Sequence, residues 1–361
     1  MSTNYIQVKA SRPILKFECP PDTKAVLLET SKDQIYDLTS IPSCVEHIQF
    51  GDHFNQPIEN NVLPVGLQSL KFGYYYNQPI KKDVLPAELQ SLKFGCEFNQ
   101  PIEKDVLPHK LQLIYFGNNY NQPIGENVLP VGLLSLEFSS QPIGKHVLPA
   151  ELESLEYSNH YNQPIRKNVL PEGLQSIKFG SNYNQPIGEN VLPIGLQLLE
   201  FGYCYNQLIK KNVLPAGLRS LIFGCEFNQP IEKDVLPHGL QSIRFCYMFN
   251  QPIERDVLPS GLQKIHFGPE FNQSLDNIPK ETKLYLGIIP SNTTHNYTYY
   301  TCYKANLSVI KTKKLNLGEI YQAEFNNKKY YMVDVEINKP DINMDKIKEL
   351  FYQLEKELQF Q

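Results

Sequence analysis

The stretch Val62-Leu-Pro-Val-Gly-Leu-Gln-Ser-Leu-Lys-Phe-Gly-Tyr-Tyr-Tyr-Asn-Gln-Pro-Ile-Lys-Lys-Asp83 returns, with small changes, along most of the chain. Its marker, Asn-Gln-Pro-Ile, starts at Asn55, Asn77, Asn99, Asn121, Asn162, Asn184, Asn228 and Asn250. Asn206 and Asn272 lead variant copies in which Leu208 and Ser274 occupy the proline position. The step is 22 residues except after Phe138, where Ser139-Ser-Gln-Pro142 makes a unit three residues short and without its Asn. A fixed period of this size means one supersecondary unit stacked on its own copies.

The unit itself reads as a turn of chain built around one short strand. In Ser69-Leu-Lys-Phe72, Leu70 and Phe72 point one way and Ser69 and Lys71 the other, the period of two that marks a strand. Leu92/Phe94, Ile114/Phe116, Ile177/Phe179, Leu221/Phe223 and Ile265/Phe267 repeat the apolar pair. Two prolines per unit, such as Pro64 and Pro79, each remove a donor and force extended geometry on the preceding residue, which leaves little room for an α-helix. The Leu-Pro-x-Gly-Leu step is a turn or a short 3₁₀ segment. The expected fold is therefore a β-rich, leucine-rich-repeat-like solenoid with a parallel sheet, one short strand per coil and few or no α-helices in the array.

Leu63, Leu67, Leu70, Phe72, Tyr76 and Ile80 form the expected core of one coil, with Val62 partly buried. At roughly 2 kcal/mol per buried large side chain, a single coil cannot offset the entropy of ordering it; a stack of them can. The Asn row Asn55, Asn77, Asn99, Asn121, Asn162, Asn184, Asn206, Asn228, Asn250 and Asn272 is expected to be a buried structural ladder satisfying backbone groups in the turns. The residue before Val-Leu-Pro is nearly always Asn or Asp (Asn61, Asp83, Asp105, Asn127 and onward), which fits a second turn cap. A row of calcium sites would need several converging acidic ligands, whereas this position is often neutral Asn. No metal or cofactor is expected.

Aromatic-Asn-Gln-Pro-Ile followed by Leu-Pro-x-x-Leu-x-x-Leu-x-Phe-Gly resembles the FNIP repeat family, known mainly from social amoebae and the large DNA viruses that infect amoebae. The resemblance covers Thr39 to Gly287. It implies kinship with leucine-rich repeats, a protein-interaction function and no catalytic residues. Many family members carry an F-box ahead of the repeats, which would make them substrate receptors of a ubiquitin ligase. This chain departs from that pattern, since residues 1–38 show no run of amphipathic helices. What the resemblance implies here is the partner-binding half of such a receptor without the recruiting half.

The array divides the chain into an N-terminal cap at 1–38, the solenoid at 39–287 and a C-terminal α+β piece at 288–361. In the last, Glu319 to Phe325 and Lys329 to Ile337 read as a β-hairpin. Met344, Ile347, Leu350, Phe351, Leu354 and Leu358 recur at helical spacing. That piece reads as a cap over the last coil, with a separate binding module as the alternative.

The bulk numbers remove several function classes. A net charge of −4 over 361 residues gives no electrostatic case for nucleic acid or an anionic membrane. No leader-like apolar segment and no stretch approaching 18 apolar residues is present, so an intracellular, cytoplasmic location with reduced thiols is expected. Cys204, Cys225 and Cys246 recur every 21 residues but occupy different positions of the unit, which argues against a thiol cluster. The histidines sit in variable slots away from Cys or carboxylate partners, and no phosphate-binding loop, nucleophile elbow or zinc-protease motif occurs.

If the frame residues are committed to structure, function falls to the variable outward row: Lys71, Lys93, Tyr115, Glu137, Glu156, Lys178, Glu200, Ile222, Arg244 and His266. The leading expectation is a non-enzymatic scaffold that binds a protein partner through this face. The alternatives are the ubiquitin-ligase receptor and, more remotely, a carbohydrate- or nucleotide-processing β-solenoid enzyme, whose mark would be a deep polar groove.

Overall fold

The computed structural model describes residues 22–29, 37–138 and 141–285 with their side chains, and short backbone strands at 6–9, 14–15, 35–36, 286–288, 309–315, 318–325 and 328–335. The chain forms two compact units, Met1–Gly180 and Ser181–Gln361.

In the first unit, strands β1 (Ile6–Lys9), β3 (Ala25–Glu29), β5 (His47–Phe50), β6 (Ser69–Lys71), β7 (Ser91–Lys93), β8 (Leu113–Tyr115), β9 (Ser135–Phe138), β10 (Ser154–Tyr157) and β11 (Ser176–Lys178) pair in parallel. Two residue pairs, β2 (Ile14–Leu15) and β4 (Ile35–Tyr36), make a small parallel sheet beside it. The second unit continues the pattern with β12 (Leu198–Glu200), β13 (Ser220–Ile222), β14 (Ser242–Arg244), β15 (Lys264–Phe267) and β16 (Lys283–Ile288), also parallel. The strand direction then reverses. β19 (Lys328–Val335) runs antiparallel to β16, and β18 (Gly318–Phe325) and β17 (Val309–Leu315) follow it outward.

The protein is thus a β-solenoid of the leucine-rich-repeat-like kind, with no α-helix among the described residues and a single 3₁₀ turn at Leu38–Ser40. The parallel ladder already includes Ala25–Glu29, upstream of Thr39 where the repeat becomes legible. β18 and β19 form a hairpin; the helical spacing beyond Pro340 lies outside the described residues.

Register follows the repeat because identical residues prefer identical places. Leu70 aligns with Leu92, Leu92 with Ile114 and Ile114 with Leu136, all at 1% exposure or less. A slip of one residue would turn this row to solvent, so burial fixes the pairing. The Leu-Pro-x-Gly-Leu step closes a turn: the Leu67 N–H donates to the Pro64 carbonyl at 3.0 Å, and Leu89, Leu111, Leu218 and Leu240 repeat the bond to Pro86, Pro108, Pro215 and Pro237. Opposite the leucines run two aromatic columns. Phe72 stacks on Tyr76 of its own coil with ring centroids 3.8 Å apart and on Phe94 of the next at 5.6 Å. In the second unit, Phe223 meets Phe227 at 3.8 Å and Phe245 at 5.3 Å. Offset stacking adds to the area term that each ring contributes.

Two further constraints account for fixed positions. The residue before Val-Leu-Pro adopts a left-handed backbone: φ is 61° at Asn61, 65° at Asp83, 60° at Asn127 and 66° at Asp234. Asn and Asp tolerate this region far better than other residues with a β-carbon. The short coil departs from the rule, placing His146 at φ 60°. The glycine that follows most strands has a different reason. A β-carbon at Gly95 would overlap the carbonyl oxygen of Gly73, and one at Gly224 that of Gly202, because successive backbones nearly touch there.

These constraints set three expected outcomes. Gly95→Ala should cost at least about 2 kcal/mol, seen as a lower urea midpoint. Gly66→Ala, where the added methyl meets open space, should stay within about 0.5 kcal/mol of the parent. His146→Asn should raise stability by up to about 1 kcal/mol by relieving left-handed strain, and an unchanged or lower midpoint would contradict that reading of the turn.

Candidate functional site

The outward row is set by the strand alternation. Because Leu70 and its equivalents face the core, the residue after each faces out, and parallel in-register pairing aligns these residues across coils. Lys71 pairs with Lys93, Lys93 with Tyr115, Tyr115 with Glu137, Glu137 with Glu156, and Glu156 with Lys178. In the second unit Glu200 aligns with Ile222, Ile222 with Arg244, and Arg244 with His266. Lys71, Lys93 and Arg244 are exposed; Tyr115, Glu137, Glu156, Lys178, Glu200, Ile222 and His266 are half-buried by their neighbours in the row.

The first-unit row carries an electrostatic gradient within a few strands. Lys71 and Lys93 stand side by side as exposed cations. Glu156 forms an ion pair with Lys178 at 3.1 Å. Between them, Glu137 is hemmed in: burial pushes its carboxyl up to about 7, and the adjacent Glu156 charge adds to the rise. A hydrogen bond with the Tyr115 hydroxyl opposes the shift, as do Lys178 and Lys93. The same environment holds the Tyr115 phenol neutral, through burial first and the Glu137 charge second. In the second unit His266 stacks on Tyr285 with centroids 4.3 Å apart. Burial lowers its pKa to about 4, helped by Arg244 and Lys264, so the ring is neutral near pH 7.

The Asn row sits on another edge. It is not a buried ladder, as its members are half-buried or exposed. The bonds run to the next coil, not within the Asn's own turn. The Asn55 side-chain oxygen accepts from the Asn77 N–H at 2.9 Å and from the Gln78 amide at 3.1 Å. Asn77 serves Asn99 and Gln100 in the same way, both at 3.0 Å, and Asn99 serves Asn121 and Gln122. In the second unit the chain of acceptors runs from Asn184 through Asn206 and Asn228 to Asn250, ending on the Asn272 N–H at 2.8 Å. Each oxygen is covered by the following coil while the rest of the amide stays at the surface. Asn162 is exposed in the coil after the short one.

Two features go beyond what the sequence pattern suggests. Cys225 and Cys246 do meet: both are buried and their sulfurs are 2.8 Å apart, although they differ by one position of the unit. Cys246 occupies the slot that is glycine at 202, 224 and 268, and its side chain reaches across the gap between coils. Cys204 remains half-buried. The second feature is an exposed aromatic group on the turn edge. Tyr74 and Tyr75 are 43% and 49% exposed and pack edge to face, with His53 stacked on Tyr75 at 5.3 Å. The hint in the sequence is two consecutive tyrosines in slots where the other units carry no adjacent pair of Tyr or Phe. Among the described residues no group of three or more His, Cys, Asp or Glu side chains is placed to hold a metal ion, and no helix is long and apolar enough to cross a membrane.

A stack of coils with one in-register strand each defines a leucine-rich-repeat-like protein, and the comparison with known proteins narrows the class. The FNIP Repeat model matches residues 33–75, 54–97, 76–119, 98–141, 120–160, 161–204, 205–247 and 249–295, so the chain belongs to the FNIP repeat family. Among solved structures it is similar to CroV588, described as a novel circular LRR protein, with 34% identity and a TM-score of 0.60. The match covers 75% of this chain and 50% of that one, so the chain spans about half the length of that relative. Among curated proteins none matches.

The Glu137 environment makes a pH prediction. Its folded pKa lies above the unfolded value of 4.5, so the ionised form is disfavoured on folding. That penalty is absent below about 4.5 and complete above about 7. The stability advantage of Glu137→Gln over the parent should therefore grow as pH rises through this window, by on the order of 1–2 kcal/mol. Urea melts at pH 4.5, 6 and 8 check it; a constant difference would contradict the assignment.

Proposed function

We propose that this protein is a non-enzymatic scaffold that holds a protein partner on the outward face of its sheet. One observation carries the reading. The frame residues are engaged in core, turns and inter-coil bonds, while the outward row lines up side chains of different chemistry across successive in-register strands, with Lys71, Lys93 and Arg244 exposed. A rigid lattice displaying a varied row is the arrangement by which solenoid repeats recognise extended protein surfaces. The side chains it displays suit such recognition. Lys71 and Lys93 are paired cations, a half-buried tyrosine and carboxylates lie beside them, and Arg244 stands in the second unit. Tyr and Arg are enriched where binding energy concentrates. The kinship with an LRR protein of known structure supports the scaffold class, in which partner binding is the common role.

The test is a comparative pull-down from the native cell with quantitative mass spectrometry, using the parent chain and Lys71→Glu/Lys93→Glu. Both substitutions are at exposed positions, so circular dichroism and the thermal midpoint should be unchanged. A partner that binds through this face should be depleted at least about tenfold, which corresponds to 1.4 kcal/mol. A set of partners retained equally by both proteins would remove the face from consideration.

A further inference from the structure

The thiols of Cys225 and Cys246 lie outside the outward row, at the turns that follow two successive strands. Cys225 fills a turn position taken by Ser181, Tyr203 and Tyr247 in other second-unit coils. Cys246 replaces a glycine whose β-carbon would crowd the preceding coil at Gly224 and Gly268. A side chain has therefore entered a slot shaped for none, and its sulfur ends 2.8 Å from a second sulfur. That separation is closer than non-bonded sulfurs ordinarily rest and within about 0.8 Å of the roughly 2.05 Å covalent bond, so closure needs little motion from here. A lateral step between coils of roughly 4.8 Å combined with a one-residue offset of roughly 3.4 Å along the chain puts the two α-carbons about 6 Å apart, inside the roughly 4.4–6.8 Å that a disulfide spans. The two residues also sit on different coils, so a bond between them would tie consecutive layers of the stack.

We propose that Cys225 and Cys246 form an oxidation site at which a hydroperoxide converts the pair to a disulfide. In the first step a thiolate sulfur attacks one peroxide oxygen. The O–O bond breaks, the departing oxygen takes up the proton that the thiol gave up and leaves as an alcohol or water, and the sulfur becomes a sulfenic acid. In the second step the other thiol attacks that sulfur, the S–O bond breaks, and water departs with the thiol proton. Two thiols are oxidised by two electrons in total and one hydroperoxide is reduced. Both cysteines are buried, at 4% and 6% exposure, so the reaction proceeds through local opening of the turn edge. Once a single sulfur is oxidised, the neighbouring thiol is in contact with it and outcompetes any external thiol. The product locks the coils that carry Ile222 and Arg244 in the outward row.

The experiment uses the full reduced chain under native conditions. It is exposed to hydrogen peroxide, quenched, denatured, alkylated with N-ethylmaleimide and mapped by mass spectrometry. The expected product is a peptide pair linked through Cys225 and Cys246, lighter by two hydrogens and released by dithiothreitol. Amide hydrogen exchange over residues 225–250 should slow several-fold on oxidation and recover on reduction. Cys246→Gly restores the residue of the neighbouring coils, and Cys225→Ser introduces the residue found at Ser181, so both variants are expected to fold. Each should abolish the linked product and make exchange insensitive to peroxide. The proposal is overturned if native oxidation leaves both parent cysteines open to alkylation or carries them to sulfinic acid unlinked. It is equally overturned if the linked product joins either of them to Cys204 or another cysteine instead.

Discussion

The closeness of successive backbones at the turn after each strand governs the rest of this structure. Where Gly95 passes Gly73, and Gly224 passes Gly202, no β-carbon fits between the chains. That approach pins each coil to the one before it, and everything else falls into step. The strand leucines land on leucines, the aromatic rings stack in two columns, and the side-chain oxygens of Asn55, Asn77, Asn99, Asn184, Asn206, Asn228 and Asn250 meet the N–H of the next Asn. Ion pairs obey the same step: Lys110 reaches Glu88 at 2.7 Å, and Lys233 reaches Asp256 at 3.4 Å. Such exposed pairs contribute little individually. They are consequences of the register, which buried leucine and phenylalanine enforce.

How much of this can be read from the chain depends on whether a residue's duty lies within its coil or between coils. Leu70, Phe72 and Tyr76 declare themselves because period-two alternation and repetition both point inward. Pro64 and Pro79 exclude helix by their own covalent chemistry. The duties between coils are harder. The Gly95 position reads as a strand end, since only the packed neighbour shows that a methyl group has nowhere to go. The Asn row is legible as structural, but its hydrogen bonds cross to the next coil and its amides stay near the surface, which no single unit reveals. Cys225 and Cys246 look mismatched by one position because counting along the chain ignores the lateral offset that a side chain spans. Alternation names the whole outward row, whereas the carboxyl of Glu137 held near neutrality requires knowing how tightly Tyr115 and Glu156 enclose it.

Regularity also limits where recognition can reside. Phe94 to His109 and Phe223 to His238 are the same sixteen residues on different coils, so their surfaces differ only through their neighbours. Distinctiveness must come from positions that break the pattern. In the sheet these are the cations, carboxylates and tyrosine of the outward row. On the turn edge they are Tyr74, Tyr75 and His53, an aromatic group with no counterpart in the units immediately after it. The coil shortened after Phe138 is a third irregularity, and it places His146 where the other left-handed turns have Asn or Asp.

The change of strand direction after β16 has a consequence for assembly. A parallel ladder of near-identical strands leaves a terminal edge that resembles its own interior, and such an edge is a template for another copy of itself. Here β19 covers that edge running the opposite way, and β18 and β17 carry the antiparallel order outward. The outermost strand, Val309–Leu315, contains Lys311, Lys313 and Lys314 in its sequence. At this end, the strand next to the last coil runs opposite to the coils' own strands, and the edge does not present the parallel line that the interior coils share.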